Sequence, residues 1–327
     1  MGIYEDTALS RVAQLGPEFP VCNDSEAFIQ QIKSIYSGIA QLPSLSPSPD
    51  ANCLFSSLVY LCRQPIAIDV ATISAKAQAM RIHLIKLCAQ AEGLLERHFS
   101  GLLASRIGNP LDDITLFPYY DNYLKLGHLE YSLLTAQLER LHTLPQTMEG
   151  ADCLECQMNR ERPGHPKSIA FLGSGPLPLT SIVLAKHHFL TTKFYNYDMD
   201  PEANSMALKI IYSDGDLCQR MSFHTADVMD LTRTQLGEHD VVYLAALVGM
   251  DAVEKDQLIK HLAQSMKPNS LLMLRSAHGA RAFLYPVVEM DTLKMAGFEV
   301  LSVFHPQDEV INSVVIARKM AAKGLSE

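Results

Sequence analysis

A short apolar run that ends in a Gly-Ser-Gly turn is the feature of this sequence that most constrains its fold. Residues 169–172 are all apolar, and Gly173, Ser174 and Gly175 follow them directly. An apolar run of this length before glycine predicts a buried strand, and the glycines let the backbone turn sharply and approach a ligand closely. We therefore predict a strand-turn-helix unit with a ligand at the carboxyl end of the strand.

Strand and helix patterns alternate through the rest of the second half. The strands are predicted at 168–172, 193–198, 221–226, 239–246, 270–276, 297–304 and 312–318, and helices between them begin near Pro176, Pro201, Thr232 and Val253. This alternation predicts an α/β fold with a doubly wound, parallel sheet. Only a short polar segment separates the last two strands, so we predict a terminal hairpin whose final strand is antiparallel.

The first 145 residues carry the apolar period of helices instead. Helical patterns run to about Leu42, from Asp50 to Pro65, from about Val70 to Ile107 and from about Tyr119 to His142, after an irregular start over 1–22. We predict an N-terminal α-helical bundle or cap domain over 1–145, a polar linker or insertion over 146–167, and a Rossmann-like domain over 168–327.

Charge and composition argue against several classes of partner. The net charge is −9, and no cluster of Lys and Arg offers a face to nucleic acid or to an anionic membrane. No apolar run approaches the roughly 18 residues that an integral membrane segment needs. Seven cysteines, an odd number, predict reduced thiols in a cytoplasmic protein. We interpret Cys153 and Cys156, one CxxC pair, as two loop thiols rather than a metal or redox site, and we predict no metal site.

Two acidic residues and an apolar loop follow the next predicted strands. Asp198 ends the second strand about 20 residues after the glycine turn, where a carboxylate can accept both hydroxyl hydrogens of a ribose. Asp227 ends the third strand, where it can accept from an adenine amino group. Ala245, Ala246 and Leu247 end the fourth strand and would lie beside a sulfonium. Because the carboxyl ends of parallel strands meet at one edge of a sheet, this set predicts a site for S-adenosylmethionine (SAM).

NAD is the main alternative ligand for such a sheet. Pro176 and Pro178 count against it, because the residues that open a helix beneath a pyrophosphate should offer free N–H groups and proline has none. The third glycine of the dinucleotide motif is also absent. SAM has no phosphate, so we predict the Rossmann-like fold of a class I SAM-dependent methyltransferase, with the helical cap added to it.

The end of the fifth predicted strand is rich in polar side chains. Arg275, His278, Arg281 and Tyr285 lie in one short segment. An arginine fork matches a carboxylate, so these four residues predict a site for an amino acid or another acidic substrate. The alternative is a surface turn with one structural arginine.

The fourth strand end lacks the Asn/Asp-Pro-Pro-Tyr motif that methyltransferases of nitrogen often carry.

Two glutamates on the third predicted helix offer a general base. Glu92 and Glu96 are four residues apart and share one helix face. Burial would raise the pKa of a carboxyl group there and let it exchange protons near neutrality. Tyr120 and Tyr123 lie at the start of the next helix. On the residues alone, the alternative is that Glu96 pairs with a surface Lys or Arg and that the tyrosines serve packing.

Five strings of the sequence resemble nicotianamine synthases of land plants, and the resemblance covers nearly the whole chain. The strings are LFPYYDNYLKLG, LGSGPLPLTSIVLA, YDMDPEANS, DVVYLAALVGM and LMLRSAHGARAFLYP. The resemblance implies an enzyme that condenses three SAM molecules, by aminocarboxypropyl transfer, into nicotianamine, a tricarboxylate metal chelator with an azetidine ring. Three methylthioadenosines leave. Glu96 then matches the catalytic glutamate and Tyr123 the tyrosine beside it, with Glu92 and Tyr120 in support.

The resemblance further implies that SAM is the substrate, that no other cofactor is needed, and that the product serves iron, zinc and copper homeostasis. Two alternatives stay open: a SAM-dependent small-molecule methyltransferase and a SAM-binding module without turnover. A tyrosine-based sorting pattern at 123–126 and a dileucine pair at 133–134 add vesicle association as an alternative to a purely cytoplasmic location. The oligomeric state, including a homo-oligomer, also stays open.

Overall fold

The first half of the chain is helical in the computed structural model, which describes residues 25–143 and 165–321. Its helices are α1 Ser25–Ala40, α2 Pro49–Cys62, α3 Ala75–Ala104 and α4 Tyr120–Thr143, with a 3-10 helix over Pro110–Leu116. Helix α3 begins later than the apolar pattern predicts, because the Ser74 side chain accepts the N–H of Ala77 and caps it there. The predicted irregular start, most of the predicted linker, and the CxxC pair lie outside the described residues.

A seven-stranded sheet forms the second half. The strands are β1 Ser168–Leu172, β2 Lys193–Asp198, β3 Met221–Thr225, β4 Val241–Leu244, β5 Leu271–Ser276, β6 Phe298–Phe304 and β7 Ser313–Lys319. Their order is β3-β2-β1-β4-β5-β7-β6. Strands β1 to β5 pair in parallel, whereas β7 is antiparallel to both β5 and β6. The predicted α/β fold with an antiparallel final strand is confirmed.

Helices connect the strands and cover both faces of the sheet. They are α5 Leu179–His187, α6 Pro201–Ile211, α7 Leu217–Arg220, α8 Arg233–Leu236, α9 Ala252–Ser265 and α10 Met290–Met295, with 3-10 helices over Val228–Asp230 and Gly279–Phe283. Helix α5 begins at Leu179 rather than near Pro176. The residues between the glycine turn and α5 therefore form a loop, which leaves room above the end of β1.

Each face of the sheet has its own apolar core, because alternate side chains of a strand point to opposite faces. Ile169 and Phe171 of β1 belong to the cluster that includes α5 and α6. Ala170 and Leu172 belong to the cluster that includes α9. No helix within the described residues is both long and apolar enough to cross a membrane.

The helical half shares one of these cores with the sheet. Leu103 of α3 and Leu134 of α4 lie in the same buried cluster as Phe171 and Tyr243. A third cluster joins α1, α2 and the start of α3 to the segment after β5, where the rings of Phe28 and Phe283 are 5.4 Å apart. Helix α3 is thus held against the carboxyl edge of the sheet, while the predicted domain boundaries near 145 and 168 stay a prediction.

Candidate active site

The candidate site lies where the strand order reverses, beyond the carboxyl ends of β1 and β4. A cleft of about 620 Å³ opens there between the sheet edge and helix α3. Gly173 and Gly175 both have positive φ, at 79° and 69°. A Cβ atom at Gly173 would lie 2.3 Å from a methyl carbon of Val248, so the loop after β4 can pack here only against glycine. The predicted glycine turn therefore forms the floor of the cleft.

The hydroxyl of Ser174 faces the same cleft. The residue is buried, and its Oγ has no hydrogen-bond partner among the described residues. A buried hydroxyl without a partner is uncommon in folded proteins and carries a desolvation cost. A polar ligand in the cleft would remove that cost.

Asp198 ends β2 and braces the glycine turn. Its Oδ2 accepts the N–H of Gly175 at 2.8 Å, and its Oδ1 accepts the N–H of Asp200 at 3.0 Å. A carboxylate oxygen has more than one acceptor position, so the group can still accept from a ligand hydroxyl in the cleft that it lines. Asp198 lies at the strand end where the sequence predicts it, and its proposed bond to a ribose stays a prediction. Its contact with the turn had no signal in the sequence.

The other residues predicted to bind SAM line the cleft as well. They are Asp227, Ala245, Ala246 and Leu247. Asp227 also caps the 3-10 helix that follows it, since its Oδ1 accepts the N–H of Met229 at 2.9 Å. One side of the cleft is thus polar and the other, after β4, is apolar.

Lys255 shapes the apolar side and was missed by the sequence analysis. Its Nζ is buried and donates to the carbonyl oxygens of Ala246, at 3.1 Å, and of Val248. Burial lowers the pKa of this ammonium group to about 8. A lysine on an otherwise amphipathic helix normally indicates a solvent-exposed position, so no local pattern indicates this contact.

Glu96 of α3 lies directly over the glycine turn. A Cβ atom at Gly175 would lie only 2.6 Å from Glu96 Oε2, so the carboxylate and the turn are in close contact. Burial raises the pKa of Glu96 well above its usual range, and repulsion from Glu92 and Asp198 adds to the rise. A carboxyl group of this kind keeps its proton at a pH where an exposed glutamate is ionised.

Glu92 and two tyrosines adjoin Glu96 in the cleft. The hydroxyl of Tyr285 donates to Glu92 Oε2 at 3.0 Å. Burial raises the pKa of Glu92, while the bond from Tyr285 and the charge of Arg275 oppose the rise. Burial and the two glutamates raise the pKa of Tyr123, which keeps its hydroxyl protonated and able to donate.

Arg275 lines the cleft, but its guanidinium is already paired. Its Nε donates to Glu130 Oε1 at 2.8 Å, and one of its terminal nitrogens donates to Glu130 Oε2 at 3.2 Å and to Thr180 Oγ1 at 2.7 Å. Glu130 has no solvent exposure. Burial alone would lower the pKa of Arg275, but the attraction of Glu130 outweighs it and the pKa is raised. The arginine balances a buried charge rather than presenting a free fork.

Two residues predicted to hold a substrate carboxylate lie outside the cleft. The ring of His278 stacks on that of His305, with centroids 4.1 Å apart. The guanidinium of Arg281 donates to the carbonyl oxygens of Pro306, at 2.7 Å, and Asp308, at 2.6 Å. Both predictions are corrected, because these side chains turn toward the loop between β6 and β7 and hold it.

Tyr120 is also placed away from the cleft. The residue is buried, and its hydroxyl lies 3.4 Å from Nε2 of His187 on α5. Tyr120 and Tyr123 are three residues apart, only about 60° around the axis of α4, but Tyr120 is the first residue of the helix and its hydroxyl reaches toward α5. Tyr123 faces the cleft, and Tyr120 packs α4 against α5.

A second cavity, of about 210 Å³, adjoins the cleft on the side of the helical half. Four residues line both spaces: Glu92, Tyr123, Tyr285 and Asn312. We call this group the junction. The second cavity is mostly apolar beyond the junction, with Phe55, Leu95 and Phe99 among its lining residues. No pattern in the sequence indicates this cavity or the place of Asn312 in its lining.

Arg97 is a third residue that the sequence analysis missed. It lines the cleft beside Glu96 and pairs with Asp200, and it donates to Glu202 at 3.2 Å. Its partners lie about 100 residues further along the chain. Only the packing of α3 on α6 brings the ions together, and no local pattern could reveal it.

The strand order, the antiparallel last strand and the glycine turn at the reversal point define a Rossmann-like protein of the class I methyltransferase type. The family model described as "Nicotianamine synthase protein" matches residues 22–147 and 153–324. The chain is 52% identical over 300 residues to "Nicotianamine synthase" of Solanum lycopersicum, which covers 92% of this chain and 86% of that protein. It is 50% identical over 299 residues to "Nicotianamine synthase 3" of Arabidopsis thaliana, covering 91% and 85%. The chain belongs to the nicotianamine synthase family.

Solved structures share the fold at much lower identity. The crystal structure of MtNAS in complex with MTA and tNA matches with a TM-score of 0.68 and 20% identity, covering 92% of this chain and 100% of that one. A glutamate-to-glutamine variant of MtNAS in complex with S-adenosylmethionine matches with a TM-score of 0.68 and 19% identity, covering 90% and 98%. These matches extend over both halves, so the helical half belongs to the shared fold. The resemblance found in the sequence is confirmed.

Proposed function

We propose that this chain makes nicotianamine from three SAM molecules in the cleft beneath Glu96, and that Glu96 is the general base. Family membership supports the overall reaction. The observation that carries the role of Glu96 is the contact of its Oε2 with the glycine turn, where a Cβ atom at Gly175 would lie 2.6 Å away. A base in this position lies beside the ligand that the turn, Asp198 and Asp227 are proposed to hold.

Each transfer needs a neutral amine. The α-amino group of one SAM is mostly protonated at neutral pH, so a base must remove a proton before the nitrogen can attack. The nitrogen lone pair then forms a bond to the carbon next to the sulfonium of a second SAM. The carbon–sulfur bond breaks, its electron pair stays on sulfur, and neutral methylthioadenosine leaves. The leaving group needs no acid, so base catalysis is the main demand on the protein.

The surroundings of Glu96 fit that demand. Burial and the nearby charges of Glu92 and Asp198 raise the pKa of Glu96, which makes its carboxylate a stronger proton acceptor than an exposed glutamate. Glu92 is held by the hydroxyl of Tyr285. The protonated hydroxyl of Tyr123 is available at the junction to orient the amine or to pass the proton on.

The two adjoining cavities fit a product that grows. The cleft, of about 620 Å³, is large enough for a nucleoside ligand with its amino acid arm. The second cavity adds about 210 Å³ on the far side of the junction. The growing chain then extends from the cleft through the junction, while a fresh SAM takes the place of the methylthioadenosine that has left. Two transfers join three units, and a third, within one molecule, closes the ring.

Incubation of the purified protein with SAM alone tests the proposal. Mass spectrometry should find methylthioadenosine and nicotianamine in a ratio of three to one, with no acceptor added. Glu96→Gln should still bind SAM but form product at least 100-fold more slowly, in the range of a lost general base. S-Adenosylhomocysteine that forms only with an added acceptor would instead identify a methyltransferase.

Glu139→Gln is the matched control for this experiment. Glu139 is an exposed residue of α4, so the same change of side chain there should leave turnover unaltered. If Glu96→Gln turns over like the parent and like this control, Glu96 is not the base.

SAM is proposed as the substrate, with no further cofactor, and the product is proposed to chelate metal through its carboxylates and amines. A cytoplasmic location, the alternative of vesicle association, and a homo-oligomer remain sequence predictions.

A further inference from the structure

Asn312 carries an unused hydrogen-bond donor at the junction. The residue precedes β7, and its side chain is nearly buried, with 8% exposed. Its Nδ2 is buried and has no hydrogen-bond partner among the described residues. Leaving a buried amide donor unpaired destabilises a folded protein, so such groups usually have a hydrogen-bond partner. The position of Asn312 between the two cavities points to a ligand as that partner.

The other residues of the junction leave little choice of donor. Glu92 accepts the hydroxyl hydrogen of Tyr285, so Tyr285 has no hydrogen left for a ligand. The amide of Asn312 and the hydroxyl of Tyr123 are therefore the donors that the junction offers to a ligand.

The cations that could compete for this role are engaged elsewhere. Arg275 is held by Glu130 and Thr180. Arg281 donates to backbone carbonyl oxygens of the β6–β7 loop. The proposed substrate and product, however, carry a carboxylate on every transferred unit, and each carboxylate that enters the protein needs donors.

We propose that Asn312 binds a carboxylate of the growing product at the junction and holds the intermediate between transfers. The inference rests on the proposed function, because it assigns one contact within that reaction. With the carboxylate held by Asn312, the free amine of the intermediate stays in the junction next to Glu92 and Glu96 while the nucleoside in the cleft is exchanged. Asn312 is thus a substrate-binding residue, and its loss should release intermediates early.

Two substitutions test the assignment. Asn312→Ala removes the donor, and Asn312→Asp keeps the size of the side chain but adds a negative charge. Loss of one hydrogen bond to a charged group should weaken nicotianamine binding roughly 10- to 150-fold in Asn312→Ala, measured by calorimetry. Binding to Asn312→Asp should be weaker still, because two carboxylates repel each other. In Asn312→Ala, the ratio of methylthioadenosine to nicotianamine should rise above three, and partly condensed intermediates should appear in solution.

Gln219→Ala provides the control, since Gln219 is an exposed amide on α7 far along the chain from the junction. The SAM affinity and the melting temperature of each variant report whether it is folded, and Asn312→Asp, which preserves the side-chain volume, carries the test if Asn312→Ala does not fold. Unchanged product affinity with a ratio of three would overturn the assignment, as would tighter product binding by Asn312→Asp than by Asn312→Ala.

The products that the parent protein forms from SAM alone show whether a negative result contradicts the proposed function or only the role of Asn312. A parent that forms no methylthioadenosine from SAM alone contradicts the proposed function and the inference with it. A parent that forms nicotianamine while both Asn312 variants behave like Gln219→Ala contradicts only the role of Asn312.

Discussion

The carboxylate of Glu96 can lie where it does only because residue 175 is glycine. Its Oε2 occupies the space that a Cβ atom of Gly175 would need, at 2.6 Å. Gly175 is therefore required twice, once for its positive φ and once for the approach of the carboxylate. Glu96 also lies near Asp198 and Glu92. Burial and repulsion from these two carboxylates keep a proton on Glu96 at a pH where an exposed glutamate is ionised.

The pH dependence of turnover should report this repulsion. A base must be deprotonated to act, so kcat/KM should rise with pH through the raised pKa of Glu96, above the ordinary glutamate value of about 4.3. Glu92→Gln removes one of the repelling charges, so the acidic limb should move to lower pH, whatever happens to the maximal rate. A pH profile of methylthioadenosine release measures this. An acidic limb that stays in place, or moves upward, would show that Glu92 does not act on the base.

At the scale of elements, one ion pair fixes α3 relative to the end of β2. Arg97 follows Glu96 on α3 and pairs with Asp200, which also caps α6 through its Oδ1. Asp200 in turn donates its N–H to Asp198 at 3.0 Å. The helix that carries the proposed base is thus linked, through two hydrogen bonds, to the carboxylate that we propose for the ribose. We infer that Arg97 is a positioning residue that holds Glu96 over the glycine turn.

Arg97→Ala should therefore impair turnover more than SAM binding. A shift of the base by about 1 Å costs roughly 100-fold in rate, so we expect kcat to fall about 10- to 100-fold with a smaller change in KM. Arg97→Lys should restore part of the loss, because a lysine can still pair with Asp200. Steady-state kinetics of methylthioadenosine release measures both.

Arg106→Ala is the control, at an arginine just beyond the carboxyl end of the same helix. Arg106 pairs with Asp113 at 3.4 Å, both side chains are exposed, and a surface pair of this kind contributes little to stability. Equal kinetics for Arg97→Ala and Arg106→Ala would rule out a positioning role for Arg97.

The sequence predicted elements and strand ends well, because these depend on local pattern. Short apolar runs and the glycine turn located the strands, and the carboxyl ends of four parallel strands had to meet, which brought Gly173, Asp198 and Asp227 into one cleft. The sequence did not predict which residues the long side chains pair with. Nothing near Arg275 indicates that Glu130, which lies 145 residues earlier, pairs with it, and nothing near Arg281 indicates that it holds a loop.

At the scale of the whole molecule, the site is built on a shared core that holds like charges together. Leu103, Leu134 and Phe171 belong to one buried cluster, so α3 and α4 cannot move away from the sheet without exposing apolar surface. Packing thus keeps Glu96 close enough to Glu92 and Asp198 for the three carboxylates to repel one another. Folding brings these like charges together, so the site should lower the free energy of unfolding at the pH where it is active.

Glu96→Gln should accordingly stabilise the folded protein, and increasingly so as the pH rises. Because the pKa of Glu96 is raised on folding, its contribution to stability is fully present below the unfolded value of about 4.3 and is lost as the pH rises through the folded pKa. Glutamine does not titrate, so the free energy of unfolding of Glu96→Gln minus that of the parent should increase between pH 5 and pH 8. Urea unfolding at several pH values measures the difference, with Glu139→Gln as the control. A difference that is independent of pH would mean that the carboxyl of Glu96 titrates alike in the folded and unfolded chains.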